Sequence, residues 1–160
     1  MKNKAFYIVT ATIILASIFF WAYMFKSSSD QQATPFEGDI TMTMYSTPDC
    51  GCCVKWAEYL EDNGVDVTVE KVADLQTVKN EHGVPGQLSA CHTAIVDGYV
   101  VEGHVPIEDI RRLLGERPDA IGVSVPGMPP NSPGMDQPVE YTYQSVLFDE
   151  ENMTVYNTHE

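Results

Sequence analysis

The chain has 160 residues, with 23 acidic and nine basic side chains and a formal net charge of −14. Lys2, Lys4 and Lys26 all precede residue 30, so the part after them sets 23 acids against six bases, a net −17. This excludes a nucleic-acid binder, because phosphate contacts require a basic surface. An acidic surface of this kind suits solvation and can concentrate cations.

Residues 5–25 form a run of 21 residues without a charge. A bilayer-spanning helix needs about 20 predominantly apolar residues. Lys2 and Lys4 precede the run, so the positive-inside rule places the N-terminus in the cytoplasm and the remainder outside. Residues 1–26 therefore read as a membrane anchor or signal segment. The anchor reading gives a single-pass protein of the inner or cytoplasmic membrane, with its domain on the periplasmic or extracellular face. The alternative is secretion after cleavage, with Ser27 and Ser29 as a weak small-x-small site. Residues 27–38 read as a linker, with three serines, two glutamines, Pro35 and Gly38. Residues 39–160, about 120 in all, are enough for one domain with its own core.

Ile40 to Tyr45 alternates and is rich in β formers, which predicts a strand. Ser46 to Cys50 reads as a turn. Val54 to Asn63 predicts a helix with Val54, Ala57, Tyr59 and Leu60 inward and Gly64 after its end. Val65 to Val69 is a second strand. Asp74 to Glu81 is a short helix with Leu75 and Val78 inward, and His82 ends it. Thr93–Val96 and Tyr99–Val101 flank Asp97-Gly98, a strong hairpin signal. Pro106 opens a helix through Ile110, Leu113 and Leu114. From Pro118 onward the chain changes character, and Pro126 to Met135 is rigid and rich in turn formers. Tyr141 to Phe148 alternates and pairs with Met153–Tyr156, leaving His159 in the tail.

The order strand–helix–strand–helix–hairpin–helix predicts an α/β, thioredoxin-like fold with a mixed central sheet, preceded by the transmembrane helix. In such folds a dithiol opens the first helix, and Cys50-Gly51-Cys52-Cys53 occupies that place. A helix N-terminus favours thiolate.

All four cysteines lie in this cluster and in Cys91-His92-Thr93. Clustered thiols are soft ligands for copper(I), zinc or iron–sulfur centres, or nucleophiles for disulfide exchange. Cys50 and Cys53 have redox-pair spacing, but Cys52 would compete in the exchange. Adjacent Cys52 and Cys53 chelate one tetrahedral ion poorly and suit bridging between metal ions. Structural zinc is weaker, because such sites build their ligands from paired C-x₂₋₄-C motifs. Two structural disulfides remain a bland reading in an oxidising compartment. His92 is a candidate through its adjacency to Cys91. The Pro-Gly-Met segments holding Met128 and Met135 offer soft thioethers on a proline-stiffened loop, as ligands or lid, although Met is more often core filler.

Cys50-Gly-Cys-Cys53, Cys91-His-Thr93, Val101-Glu-Gly-His-Val-Pro106 and Pro126-Gly-Met-Pro129 with Ser132-Pro-Gly-Met135 together resemble one family. These are the CopG-type copper-resistance proteins, small exported metal-binding proteins long catalogued as a domain of unknown function. The resemblance spans about residues 40–148. It implies a thioredoxin-like fold, a cysteine-bridged multinuclear copper site and a role in copper resistance. It implies Cys50, Cys52, Cys53 and Cys91 as copper ligands, with His104, Met128 and Met135 carried over as further ones. Copper ions are the expected partner, with other copper-handling proteins beside them. The family implies metal binding before catalysis, copper redox activity being the enzymatic option. The competing class is a thiol–disulfide oxidoreductase using Cys50 and Cys53.

Overall fold

A computed structural model describes Phe20, Trp21 and residues 35–160 of the chain. No helix among the described residues is long and apolar enough to cross a membrane. The expected span, residues 5–25, lies outside the described residues except at Phe20 and Trp21, which are helical.

The folded unit is built on one seven-stranded mixed sheet of order β2-β1-β3-β4-β5-β6-β7. In chain order its elements are β1 (Ile40–Ser46), α1 (Gly51–Asp62), β2 (Val65–Lys71), α2 (Leu75–Glu81), a 3₁₀ turn (Gly86–Leu88), β3 (His92–Val96), β4 (Tyr99–Gly103), α3 (Ile107–Glu116), β5 (Gly122–Val125), β6 (Tyr143–Phe148) and β7 (Met153–His159). β1 pairs with β2 in parallel and with β3 antiparallel; β3 and β4 form the hairpin over Asp97-Gly98. β5 lies parallel to β4, and β6 and β7 continue the sheet antiparallel.

Side chains alternate along these strands, so each face has its own core. Ile40, Met42, Met44, Ala94, Val96, Val101 and Val123 pack with Trp56 and Leu60 of α1 and with Ile110, Leu113 and Leu114 of α3. Val100 and Phe148 pack with Val84 and Leu88. α1 buries Cys53, Trp56, Ala57 and Leu60, spaced i, i+3, i+4, i+7. Ala57 and Leu60 face inward as expected, but Val54 is 43% exposed, whereas Cys53 and Trp56 are fully buried. Counting Cys53 as a core position aligns the stripe.

Two further expectations shift. β5 falls just before the turn-rich loop, in a stretch to which no element was assigned. It is four residues long, and a Cβ at Gly122 would overlap the Val100 carbonyl oxygen, so the strand depends on a residue that ordinarily weakens strands. In α2 it is Lys79, not Leu75 or Val78, that is fully buried, in an ion pair with Glu102. The folded unit also reaches back into the segment read as linker: Phe36 packs on the core, its N–H donates to the Arg111 carbonyl, and the Arg111 guanidinium donates to its carbonyl. His159 is held in β7 by Asp109 at 2.8 Å rather than lying in a loose tail.

Candidate metal centre

Three neighbouring strands end or begin at one end of the sheet. β1 leads through Thr47–Asp49 into Cys50, the N-cap of α1. β3 begins just after Cys91, and β4 ends just before His104. Because β3 runs opposite to β1 and β4, segments far apart in sequence converge here.

The four sulfur atoms of Cys50, Cys52, Cys53 and Cys91 lie within 4.8 Å of one another. Cys50 and Cys53 are joined as a disulfide, and Cys52 and Cys91 are free thiols. Cys52 Sγ stands 3.6 Å from Cys50 Sγ and 3.8 Å from Cys91 Sγ. Cys53 Sγ lies 3.5 Å from the Cys91 carbonyl oxygen. Cys91, His92 and His104 form a second group, with one donor atom of each within 4.8 Å of the others, and it shares Cys91 with the first. Cys91 Sγ is 3.2 Å from His104 Nε2 and 3.4 Å from His92 Nδ1.

His104 is oriented by the loop after β5. Its Nδ1 donates to the Pro133 carbonyl at 2.6 Å, which leaves the Nε2 lone pair aimed at Cys91. An imidazole held by its other nitrogen in this way is typical of metal ligands. The Pro133 carbonyl is placed in turn by Gly134, which sits so close to α1 that a Cβ there would stand 2.7 Å from the Trp56 nitrogen. Trp56 Nε1 donates to the Val105 carbonyl at 3.0 Å and closes the site from below. Its ring packs on His92 with centroids 4.3 Å apart, and His92 meets His104 edge-on at 5.2 Å.

Burial dominates the protonation of these groups. It pushes the Cys91 thiol up to about 12, helped by the neighbouring Cys52. It holds His92 well below the usual imidazole range, with His104 adding to the effect. It lowers His104 as well, against the opposing pull of the Pro133 carbonyl. Both imidazoles are thus neutral near pH 7, the form that ligates metal. Sulfur with neutral imidazole is a soft donor set that fits copper(I), and zinc less selectively.

Of the expected ligands, the structure brings Cys50, Cys52, Cys53, Cys91 and His104 together. Met135 is half-buried beside Gly134, on the stretch that orients His104. Met128 is 42% exposed on a turn with φ 49°. Sequence reasoning read this loop through its thioethers and missed its backbone carbonyl. Trp56 was also missed as a wall of the site, for want of the correct helix stripe. His92 was signalled only by its adjacency to Cys91.

The fold and site define a mixed α/β protein with a cysteine cluster capable of binding metal. A family described as "Protein of unknown function, DUF411" matches residues 88–135. No curated protein matches the chain. Two solved structures of a copper resistance protein, copG, are similar. Form 2 is 39% identical, with a TM-score of 0.73, over 77% of this chain and 100% of its own. Form 1 is 39% identical, with a TM-score of 0.71, over 79% of this chain and 98% of its own. The chain belongs to the CopG-type copper-resistance family.

Proposed function

We propose that this protein is an exported copper-binding protein that holds copper(I) in a cysteine-bridged multinuclear site and acts in copper resistance. One observation carries the reading. Four sulfur atoms from two segments 38 or more positions apart meet within 4.8 Å, beside an imidazole whose free nitrogen faces them. Copper is the cargo. Reduction of the Cys50–Cys53 disulfide by exchange with two equivalents of an external thiol, which leave joined as their own disulfide, supplies the full thiol set. Cys91 touches both donor groups and is the natural bridge. Met128 and Met135 are soft donors or a lid over the open face.

The order β2-β1-β3-β4, with a helix opening on a C-x-x-C pair, supports a thioredoxin-like reading of this half of the sheet. Residues 5–25 anchor the chain with its domain outside the cytoplasm, as their length and charge bias suggest. Recovery of the mature protein in the soluble exported fraction, beginning near Asp30, would show cleavage instead.

The test is an anaerobic titration of the reduced full chain with copper(I) against a competing chelator. More than one copper(I) per chain is expected. Binding of a single zinc that copper(I) does not displace refutes the reading. The Cys50–Cys53 disulfide at the start of α1 favours a second reading, a thiol–disulfide oxidoreductase. Insulin reduction with turnover, in a protein that fails the copper titration, would select it.

A further inference from the structure

Glu102 is fully buried, and the hydrogen bonds of its carboxylate go to Lys79, Ala90 and Thr93 rather than to the site's sulfur or imidazole atoms. It accepts hydrogen bonds from the Ala90 N–H at 2.6 Å and from the Thr93 hydroxyl at 2.8 Å. It also pairs with Lys79, whose ammonium donates to Thr93 Oγ1 at 2.9 Å. Thr93 pairs with Glu102 across the β3–β4 ladder. Alternation puts both on the face covered by α2, opposite the face where His92 stacks on Trp56. The network therefore holds the site through the backbone between Ala90 and Thr93; its charges also reach the site through space, Glu102 on Cys91 and Lys79 on His92, and both variants below remove those charges alike.

That stretch carries Cys91. Cys91 lies on a bend after the 3₁₀ turn, and the ladders begin only at His92 against β1 and at Thr93 against β4. Sheet register alone leaves the thiol unfixed. One carboxylate grips the chain immediately before it, at Ala90, and two residues after it, at Thr93. Stability gives little reason for such a pair, since apolar replacement of a buried ion pair is often neutral or stabilising. We infer that Glu102, held in place by Lys79, is a positioning residue that fixes Cys91 against Cys52 and His104. The functional meaning of this rests on the copper(I) reading above; the geometry can be tested without metal.

Two neutral double variants of the full chain separate the roles. In Lys79→Met/Glu102→Gln the amide oxygen still accepts from the Ala90 N–H. In Lys79→Met/Glu102→Leu nothing does. The first readout uses a Cys50→Ser/Cys53→Ser background in a glutathione buffer. There the Cys52 and Cys91 thiols form one disulfide as oxidised glutathione becomes two reduced molecules, and the equilibrium constant measures their effective concentration. The glutamine pair should stay within about threefold of its parent and the leucine pair fall by about tenfold or more. The second readout is copper(I) affinity with all four cysteines present. Here the leucine pair should lose about 10–100-fold, as orienting partners of metal ligands do, and the glutamine pair should recover most of it. A leucine pair that matches its parent in both readouts, or that no longer folds in an apo thermal melt, overturns the proposal. A parent with a high effective concentration and no copper(I) binding would instead refute the copper reading and leave the positioning result standing.

Discussion

Gly134→Ala is the sharpest probe of how the Pro-Gly-Met loop serves the site. The substitution has two separable costs. Gly134 has φ 79°, where an L side chain is strained by about 1–2 kcal/mol. Its Cβ would also stand 2.7 Å from Trp56 N and 3.0 Å from Trp56 Cα, both backbone atoms of α1 that cannot swing away. Overpacking of this kind adds about 1–3 kcal/mol. Gly127 provides the control within the same loop, with φ 78° and nothing within 4 Å of a Cβ. Gly127→Ala should therefore cost only the strain, and Gly134→Ala about 2–5 kcal/mol. The clash is relieved by lifting the loop off α1, which draws the Pro133 carbonyl away from His104 Nδ1. Copper(I) affinity should then fall about 10–100-fold in Gly134→Ala and change little in Gly127→Ala. Denaturant unfolding of the apo chain and competitive copper(I) titration of the same samples read both effects. Equal stability and equal affinity for the two variants would refute the argument that Gly134 seats the loop and the loop seats His104.

Cys91→Ser should weaken copper(I) binding about as strongly as Cys52→Ser, measured by chelator competition, because Cys91 belongs to both donor groups; unchanged stoichiometry would break the shared-site geometry. Met135→Leu should weaken copper(I) binding more than Met128→Leu, since Met128 lies out on an exposed turn. Lower apo stability with intact binding in either variant would identify that methionine as packing. Acidification should destabilise the metal-free protein. His92 and His104 are depressed in the folded state, so below the ordinary imidazole pKa of 6.5 the unfolded chain binds more protons, and stability falls with pH by up to about 1.4 kcal/mol per unit for each. Thermal melts from pH 7.5 to 5 of the parent and of His92→Phe check this, and an equal slope in the variant counts against it.

The elements that alternate cleanly were legible in the sequence. β1 and β2 alternate at their starts, the β3–β4 hairpin is announced by Asp97-Gly98, the β6–β7 pair by two β-rich runs, and α3 shows its stripe through Ile110, Leu113 and Leu114. β5 was not legible, because a glycine opens it and its hold on the sheet is tertiary. Ala57 and Leu60 of the α1 stripe were legible, but its start was not, because Cys53 was counted as chemistry alone although it is buried with Trp56 and Leu60. Lys79 and Glu102 look like solvated surface in a sequence; only the fold brings α2 over β4 and hides both. The thiol cluster could be read because three of its members are local. The seating of His104 by Pro133 could not, since a backbone carbonyl has no residue type.

The division of the donors along the chain has a consequence for the order of loading. Cys50, Cys52 and Cys53 lie within four residues, so an unfolded chain already presents three sulfur donors to a soft metal. Cys91 and His104 join them only when β1, β3 and β4 are assembled. Metal that binds the unfolded state cancels part of the stabilisation that binding gives the native one. Copper met before folding would therefore hold the nascent chain by its local trio and slow the search for the β1–β3 ladder. Copper met afterwards would lock that ladder in place. On the export and copper(I) reading proposed above, a chain crossing the membrane unfolded would gain from meeting its cargo late, and the spacing of the donors would make the completed grip itself a report that folding is finished.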